Sequence, residues 1–264
     1  MKLPFYIVDA FTSRVFHGNP AAVCPLDAWP SDALMQRIAA ENNLPETAFL
    51  VPEGTHWHLR WFTPLVEIEL CGHATLASAL VLALRNPTLN QFRFHTLSGE
   101  LTVTREGDLY TLDFPVRELT PLATHPALGA ALGCHVLHLT QSGHKHAIAE
   151  LENETAVRTC RPDFAALKAL PWSGINITAR GSDCDFVSRF FAPKVGVDED
   201  PVTGSAHCGL TPYWAATLGK TRLNARQLSA RGGELTCELR GARVLMSGSG
   251  VLYSQGTLCL DVAS

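Results

Sequence analysis

Phe62-Thr63-Pro64-Leu65-Val66-Glu67-Ile68-Glu69-Leu70-Cys71-Gly72-His73-Ala74-Thr75 and Phe191-Ala192-Pro193-Lys194-Val195-Gly196-Val197-Asp198-Glu199-Asp200-Pro201-Val202-Thr203-Gly204-Ser205-Ala206-His207 read as two copies of one unit. Each copy opens on Phe-x-Pro, passes through acidic residues and turns on small residues into an apolar helix, which ends near Leu84 in the first and Leu218 in the second. A duplicated strand–turn–helix unit predicts two domains of similar build whose helix N-termini face each other.

The first amide N–H groups of a helix lack intrahelical partners and carry the positive end of the helix dipole, so two such termini make an anion trap. Gly72 and Gly204 permit close approach of a ligand to those amides, and His73 and Ser205 add side-chain donors at matching positions. An ordinary pair of capped tight turns is the alternative for either glycine alone.

Outward from these copies, the chain reads as short strands punctuated by Gly, Pro and Asp. Strands are expected at 5–10, 47–51, 57–62, 67–70, 91–97, 100–105 and 109–114, with a helix over 31–42 capped by Ser31. After Pro115–Pro121 the pattern begins again, with strands expected at 135–141, 147–151, 175–179, 185–191, 226–230, 234–239, 244–246 and 251–254. Short helices are expected at 126–132 and 163–170.

Glu46 stands in Asn43-Leu44-Pro45-Glu46-Thr47-Ala48-Phe49, where Pro45 biases Leu44 toward extended geometry, so the preceding helix must stop and a strand begins. A carboxylate there borders an apolar layer and is poised for proton transfer; a solvated surface glutamate is the other reading. Asp200-Pro201 is either a turn initiator or the partner that fixes the tautomer and charge of His73. Asn19, in Gly18-Asn19-Pro20-Ala21-Ala22-Val23, reads as a turn residue whose amide braces the turn or binds a substrate carboxylate.

The 264 residues, 46% of them hydrophobic, suffice for two modest cores. A net charge of -4 without clustered Lys or Arg gives no reason to expect nucleic acid, and a small-molecule partner fits better. The 8 cysteines are scattered with no CxxC pair, and the N-terminus lacks a signal-peptide pattern, so a reducing, cytoplasmic setting is expected. The longest apolar stretch, 74–84, is too short to cross a bilayer and reads as a buried helix. The histidine pairs His56/His58 and His144/His146 lack third ligands at usable spacing, so no metal is expected. No strand–GxGxxG–helix context surrounds Gly232-Gly233, and no nucleotide or flavin site is expected.

Together, Gly18–Val23, Asn43–Phe49, Leu70–Thr75 and Asp200–His207 resemble, end to end and in order, the phenazine-biosynthesis isomerase family (PhzF-like). The resemblance implies an α+β, diaminopimelate-epimerase-like fold. It comprises two pseudo-symmetric domains, each a strongly curved, mostly antiparallel sheet or open barrel around a central helix, with the site between them. The domains are expected at 1–117, joined by a final strand at about 256–264, and at 118–255. By motif position Glu46 matches the acid/base glutamate, and His73, Asp200 and Ser205 match polar residues of the cleft. Asn19 falls where related epimerases hold substrate. The resemblance also implies a homodimer with no metal or organic cofactor, acting on a small anionic metabolite, with no nucleic acid or membrane partner.

Epimerase relatives use one cysteine from each half as opposed bases. Cys71 occupies the first such position, whereas the second falls near Val202 and Cys208 lies further along the helix. The expected activity is therefore a one-base proton shift, with an epimerase using Cys71 or a non-catalytic anion-binding protein as the alternatives.

Overall fold

The computed structural model describes residues 1–261, and the chain divides into two compact units, 1–113 with 247–261 and 114–246. The expected boundary at 117 thus lies at 113, and the return to the first unit begins at 247 rather than about 256. Residues 262–264 of the expected final strand lie outside the described residues.

In the first unit β1 (Lys2–Ala10), β2 (Asn19–Pro25), α1 (Asp32–Asn42), β3 (Glu46–Glu53), β4 (His56–Phe62), β5 (Glu67–Ile68), α2 (Gly72–Arg85), β6 (Gln91–Thr96), β7 (Gly99–Glu106) and β8 (Leu109–Pro115) follow in order, and a closing strand, Gly250–Cys259, pairs with β1. β2 and β3 are parallel across α1, β4 and β6 are parallel across α2, and the pairs β1–β2, β3–β4, β6–β7 and β7–β8 are antiparallel.

Strand alternation sorts the side chains of this unit. Phe49 and Phe62 pack with Met35, Ile38 and Ala39 of α1, so the odd positions of β3 and the even positions of β4 face that helix. The even positions of β3, beginning with Glu46, face the other way, where every residue of α2 from His73 to Ala83 is buried. A helix apolar on all sides belongs inside a unit rather than on its surface. The hydroxyls of Thr75 and Ser78 return to the helix carbonyls of Cys71 and Ala74 at 2.6 and 2.7 Å, which satisfies them without leaving the core.

The second unit repeats this plan through β9 (Leu119–Leu122), α3 (Pro126–Leu132), β10 (His138–Ser142), β11 (His146–Glu150), α4 (Glu154–Thr159), α5 (Phe164–Lys168), β12 (Gly174–Arg180), β13 (Phe186–Ala192), β14 (Val197–Asp200), α6 (Gly204–Leu218), β15 (Arg222–Gln227), β16 (Gly233–Arg240) and β17 (Arg243–Gly248). β11 and β12 are parallel across α4 and α5, β13 and β15 are parallel across α6, and β10–β11, β12–β13 and β15–β16 are antiparallel. Ile175, Ile177 and Ala179 pack with Leu128, Val157 and Leu167 of the short helices, while Thr178 on the opposite face accepts from Trp214 Nε1 of α6 at 2.9 Å. Helices on both faces explain why β13 is buried along its whole length.

The acidic residues of the repeat have a structural task. Arg60, two residues before Phe62, donates to both carboxylate oxygens of Glu67 at 2.7 Å, and Arg189, two residues before Phe191, does the same to Glu199 at 2.7 and 2.9 Å. Each guanidinium also lies over the ring of that phenylalanine, at 5.2 and 5.0 Å. Such two-pronged pairs fix direction as well as distance, and here they hold each Phe-x-Pro loop against its strand.

Differences from the sequence reading have local causes. Asn19 opens strand β2 instead of sitting in a turn, and the turn belongs to Gly18, at φ 65, where a Cβ would stand 2.1 Å from the Ala10 carbonyl oxygen. The end of α1 is set by Asn43, which is left-handed at φ 48 and returns its N–H to Ala39, ahead of the break at Pro45. Pro212 lies inside α6, and the Cys208 carbonyl that loses its helical donor there is filled by the Arg117 backbone N–H at 3.0 Å. Among the described residues no helix is long and apolar enough to cross a membrane.

Candidate functional site

Glu46 begins β3 and His73 is the second residue of α2, so the strand's inner face and the helix N-terminus bring them together. Glu46 Oε2 lies 3.0 Å from His73 Nε2, with side-chain exposures of 16% and 6%. Fully buried Asn19 sets its side-chain amide 3.2 Å from His73 Nδ1, and Cys71 Sγ lies 3.5 Å from the same nitrogen. The first unit thus assembles Asn19, Glu46, Gly72 and His73, all expected from the sequence, together with Cys71.

Burial opposes protonation of His73, but negative charge on Cys71 or Glu46 more than offsets it and raises the imidazole well above its ordinary pKa. Burial, reinforced by the Glu46 charge, pushes the Cys71 thiol up to about 11. At neutral pH Cys71 is therefore an uncharged thiol, and the charge that favours the imidazolium is that of Glu46. The donor atoms of Glu46, Cys71 and His73 fall within 4.8 Å of one another, close enough to share a metal ion or a proton. A buried, protonated thiol is a poor metal ligand, so the arrangement suits a proton.

Helix α2 starts at Cys71 with no side-chain cap and no acidic residue in its first turn, and α6 starts at Thr203 in the same way. Helix α1, by contrast, is capped by Ser31 and carries Asp32. The uncapped ends leave first-turn amides of Gly72 and Gly204 suited to an anion.

In the second unit Asp200 ends β14 and its carboxylate accepts from the Thr203 hydroxyl. Gln227 braces this turn, donating to the Asp200 carbonyl at 2.7 Å and accepting from the Thr203 N–H at 2.9 Å. No local motif marks Gln227; it arrives through the parallel pairing of β13 with β15. Ser205 occupies the α6 position that His73 occupies in α2, while buried His207 donates its Nδ1–H to the Thr203 carbonyl, 2.9 Å away.

Register locates the counterparts of the first unit's site. Thr47 pairs with Phe62 and Ile175 with Phe191, the two phenylalanines of the repeat, so Glu46 corresponds to Gly174. A Cβ at Gly174 would stand 2.6 Å from the Phe190 ring, and no carboxylate can occupy that position. Cys71 corresponds to Thr203 by its place before the helix, one residue beyond the expected Val202, and again no second thiol is present.

Sequence spacing offered the His56/His58 pair no third ligand, but the fold brings distant residues to it. His56 does acquire further candidate ligands, because Glu53 and His95 place donor atoms within 4.8 Å of it and of each other.

The sequence matches the family model described as phenazine biosynthesis-like protein over residues 8–256. It is 54% identical over 262 residues to an uncharacterized isomerase of Pseudomonas aeruginosa, covering 99% of this chain and 100% of that one. A crystal structure of a phenazine biosynthesis protein of the PhzF family from Enterococcus faecalis superposes with a TM-score of 0.95 at 47% identity, covering 98% of this chain and 100% of that chain. A hydroxyproline epimerase from Agrobacterium vitis shares the fold at a TM-score of 0.64 and 12% identity, over 97% of this chain and 91% of that one. With its α+β, epimerase-like fold and matches that run nearly end to end, the chain belongs to the phenazine biosynthesis-like (PhzF) protein family, whose relatives include proteins named as isomerases.

Proposed function

We propose that the protein is a cofactor-independent isomerase that moves a proton on a small carboxylate-bearing metabolite, with Glu46 as the acid/base group. The observation that supports this most is the buried Glu46–His73 contact at 3.0 Å, set at the uncapped N-terminus of α2. Glu46 takes a proton from carbon and returns it elsewhere on the same molecule, and the adjacent imidazolium stabilises the negative charge that passes between carboxylate and substrate. Gly72 supplies backbone N–H to the substrate's carboxylate, and Asn19 holds the imidazole. Within the second unit, Gly204 and Ser205 are proposed to bind an anionic group at the start of α6, with Asp200 fixing the turn that precedes it. The replacement of Glu46 by Gly174 in the second unit favours a single base over two opposed ones.

The test is a panel of small unsaturated and hydroxylated carboxylates followed by NMR in deuterated water, with product formation monitored in parallel because internal proton return leaves no label. A double-bond shift or deuterium at carbon in at least one of them is the expected result. Carboxylates that bind by calorimetry and show neither change would make the non-catalytic anion-binding reading the better one.

The epimerase reading makes Cys71 a base, and the buried Cys71–His73 contact is what favours it. We expect Cys71→Ala to retain substantial turnover and to lose about 1–2 kcal/mol of stability from packing. A folded but inactive Cys71→Ala would transfer the chemistry to the thiol.

A further inference from the structure

We propose that Glu53, His56 and His95 form a binding site for a divalent transition-metal ion of the zinc class. The site stands on three strands. Glu53 and His56 are cross-strand partners where the β3–β4 hairpin closes, and the parallel register of β4 with β6 sets His95 opposite His58. Strand alternation places Glu53, His56 and His58 on one face, and the ring of His95 reaches the same face, its centroid 4.1 Å from that of His56.

Glu53 Oε2 lies 3.3 Å from His95 Nδ1 and 3.9 Å from His56 Nε2. Ligands about 2.0–2.1 Å from a tetrahedral zinc ion stand roughly 3.3 Å from one another, so the carboxylate and both imidazoles need only small side-chain movements to close on one ion. Two imidazoles and one carboxylate are a borderline-soft donor set that selects zinc, cobalt or nickel over magnesium or calcium, which prefer all-oxygen shells. The second nitrogen of His95 lies 3.8 Å from Glu100 Oε2, a carboxylate that a small side-chain movement brings within hydrogen-bonding reach once Nδ1 ligates. Side-chain exposures of 28%, 45% and 58% for His56, His95 and Glu53 leave a coordination position open to water.

The strand between Glu46 and Glu53 spans about 23 Å at the usual rise per residue, so an ion here takes no part in proton transfer at Glu46. Its effect is to fasten the hairpin tip to β6. The proposal is independent of the isomerase reading.

Tag-free protein freed of metal by a chelator is titrated with zinc chloride in a calorimeter, and the titration is repeated with cobalt(II) to read the absorption spectrum. One equivalent of zinc is expected to bind with micromolar affinity and to raise the melting temperature of the wild type. His56→Gln, His95→Gln and Glu53→Gln alter exposed or half-exposed side chains, and each is expected to keep the metal-free melting temperature while weakening zinc at least about tenfold. Cobalt should show no thiolate charge-transfer band, because none of the three ligands is sulfur. Absence of zinc binding, affinity undiminished in His95→Gln, or a thiolate band pointing to Cys71 would each overturn the assignment.

Discussion

Glu46→Gln is expected to lower kcat by about 10²–10⁴-fold on whichever carboxylate the deuterium screen identifies, the range spanned by removal of a positioned acid/base group. The amide matches the carboxylate in size and can still accept a hydrogen bond from His73 Nε2, so the fold and most of the ground-state binding should survive. The two requirements separate chemistry from packing: kcat falls while the ligand's calorimetric affinity changes little. A second reading comes from His73. The Glu46 carboxylate, 3.0 Å away, favours its cationic form, whereas burial favours the neutral one. Removing the charge leaves burial in control, so the imidazole of the variant should lose its proton at a lower pH than that of the wild type, as followed by its NMR shifts. Turnover unchanged in a folded Glu46→Gln would remove Glu46 from the mechanism. Lost turnover with an unchanged His73 titration would deny that the two groups form one charge-coupled unit.

That coupling was only half legible in the sequence. The individual residues could be marked because each sits beside a local signal: Glu46 after Pro45, His73 after Gly72, Asp200 before Pro201. Their partnership is non-local. Glu46 meets His73 because odd and even positions of β3 face different helices, and this needs the register of β3 with both its neighbours. Strand alternation from Phe49 and Leu50 would have given the facing, but not which helix lay on which side.

Arg60 and Arg189 were missed for a similar reason. The repeat begins at Phe-x-Pro, and the arginines stand two residues before it, where a charged strand residue reads as ordinary surface although both side chains lie inward, against their glutamates and under the neighbouring helices. β2 was lost to the dipeptide Asn19-Pro20, which reads as a turn although the bend is made by Gly18 and Pro20 opens a run of buried strand residues. Gln227 and the meeting of His56 with His95 depend on parallel crossovers around α6 and α2, connections that leave no local mark. What duplication did supply was the architecture. Two copies of a strand–turn–helix unit imply two similar sheets, and the pairing patterns on either side of α2 and α6 are the same.

Acid should destabilise the second unit through its buried histidines. His207, fully buried on α6 against Phe186, has its pKa pushed down to about 4, chiefly by burial, with the Thr203 carbonyl opposing only in part. Above the ordinary value of 6.5 neither the folded nor the unfolded chain holds this proton, and the residue contributes no pH dependence. Below 6.5 the unfolded chain takes the proton and the folded one refuses it, so stability falls with pH until the folded group also titrates near 4. The gap corresponds to about 3 kcal/mol at the acid end, counting about 1.4 kcal/mol for each pH unit. His146 acts in the same direction: burial first, then the charges of Arg117 and Lys145, lower it to about 3. Carboxylates held in ion pairs, such as Glu154 lowered to about 2 by Ser182 and Arg158, add their own loss at still lower pH. The contribution of His207 is isolated by comparison with His207→Gln, in which every other group remains. Urea midpoints of the two proteins, measured from neutral pH down to about 4, should move relative to each other in the variant's favour as pH falls, because the variant lacks the residue's share of the slope whatever its stability at neutral pH. Midpoints that fall in parallel through this window would show that His207 takes up its proton in the folded state as readily as in the unfolded one, and burial would then not be what governs its charge.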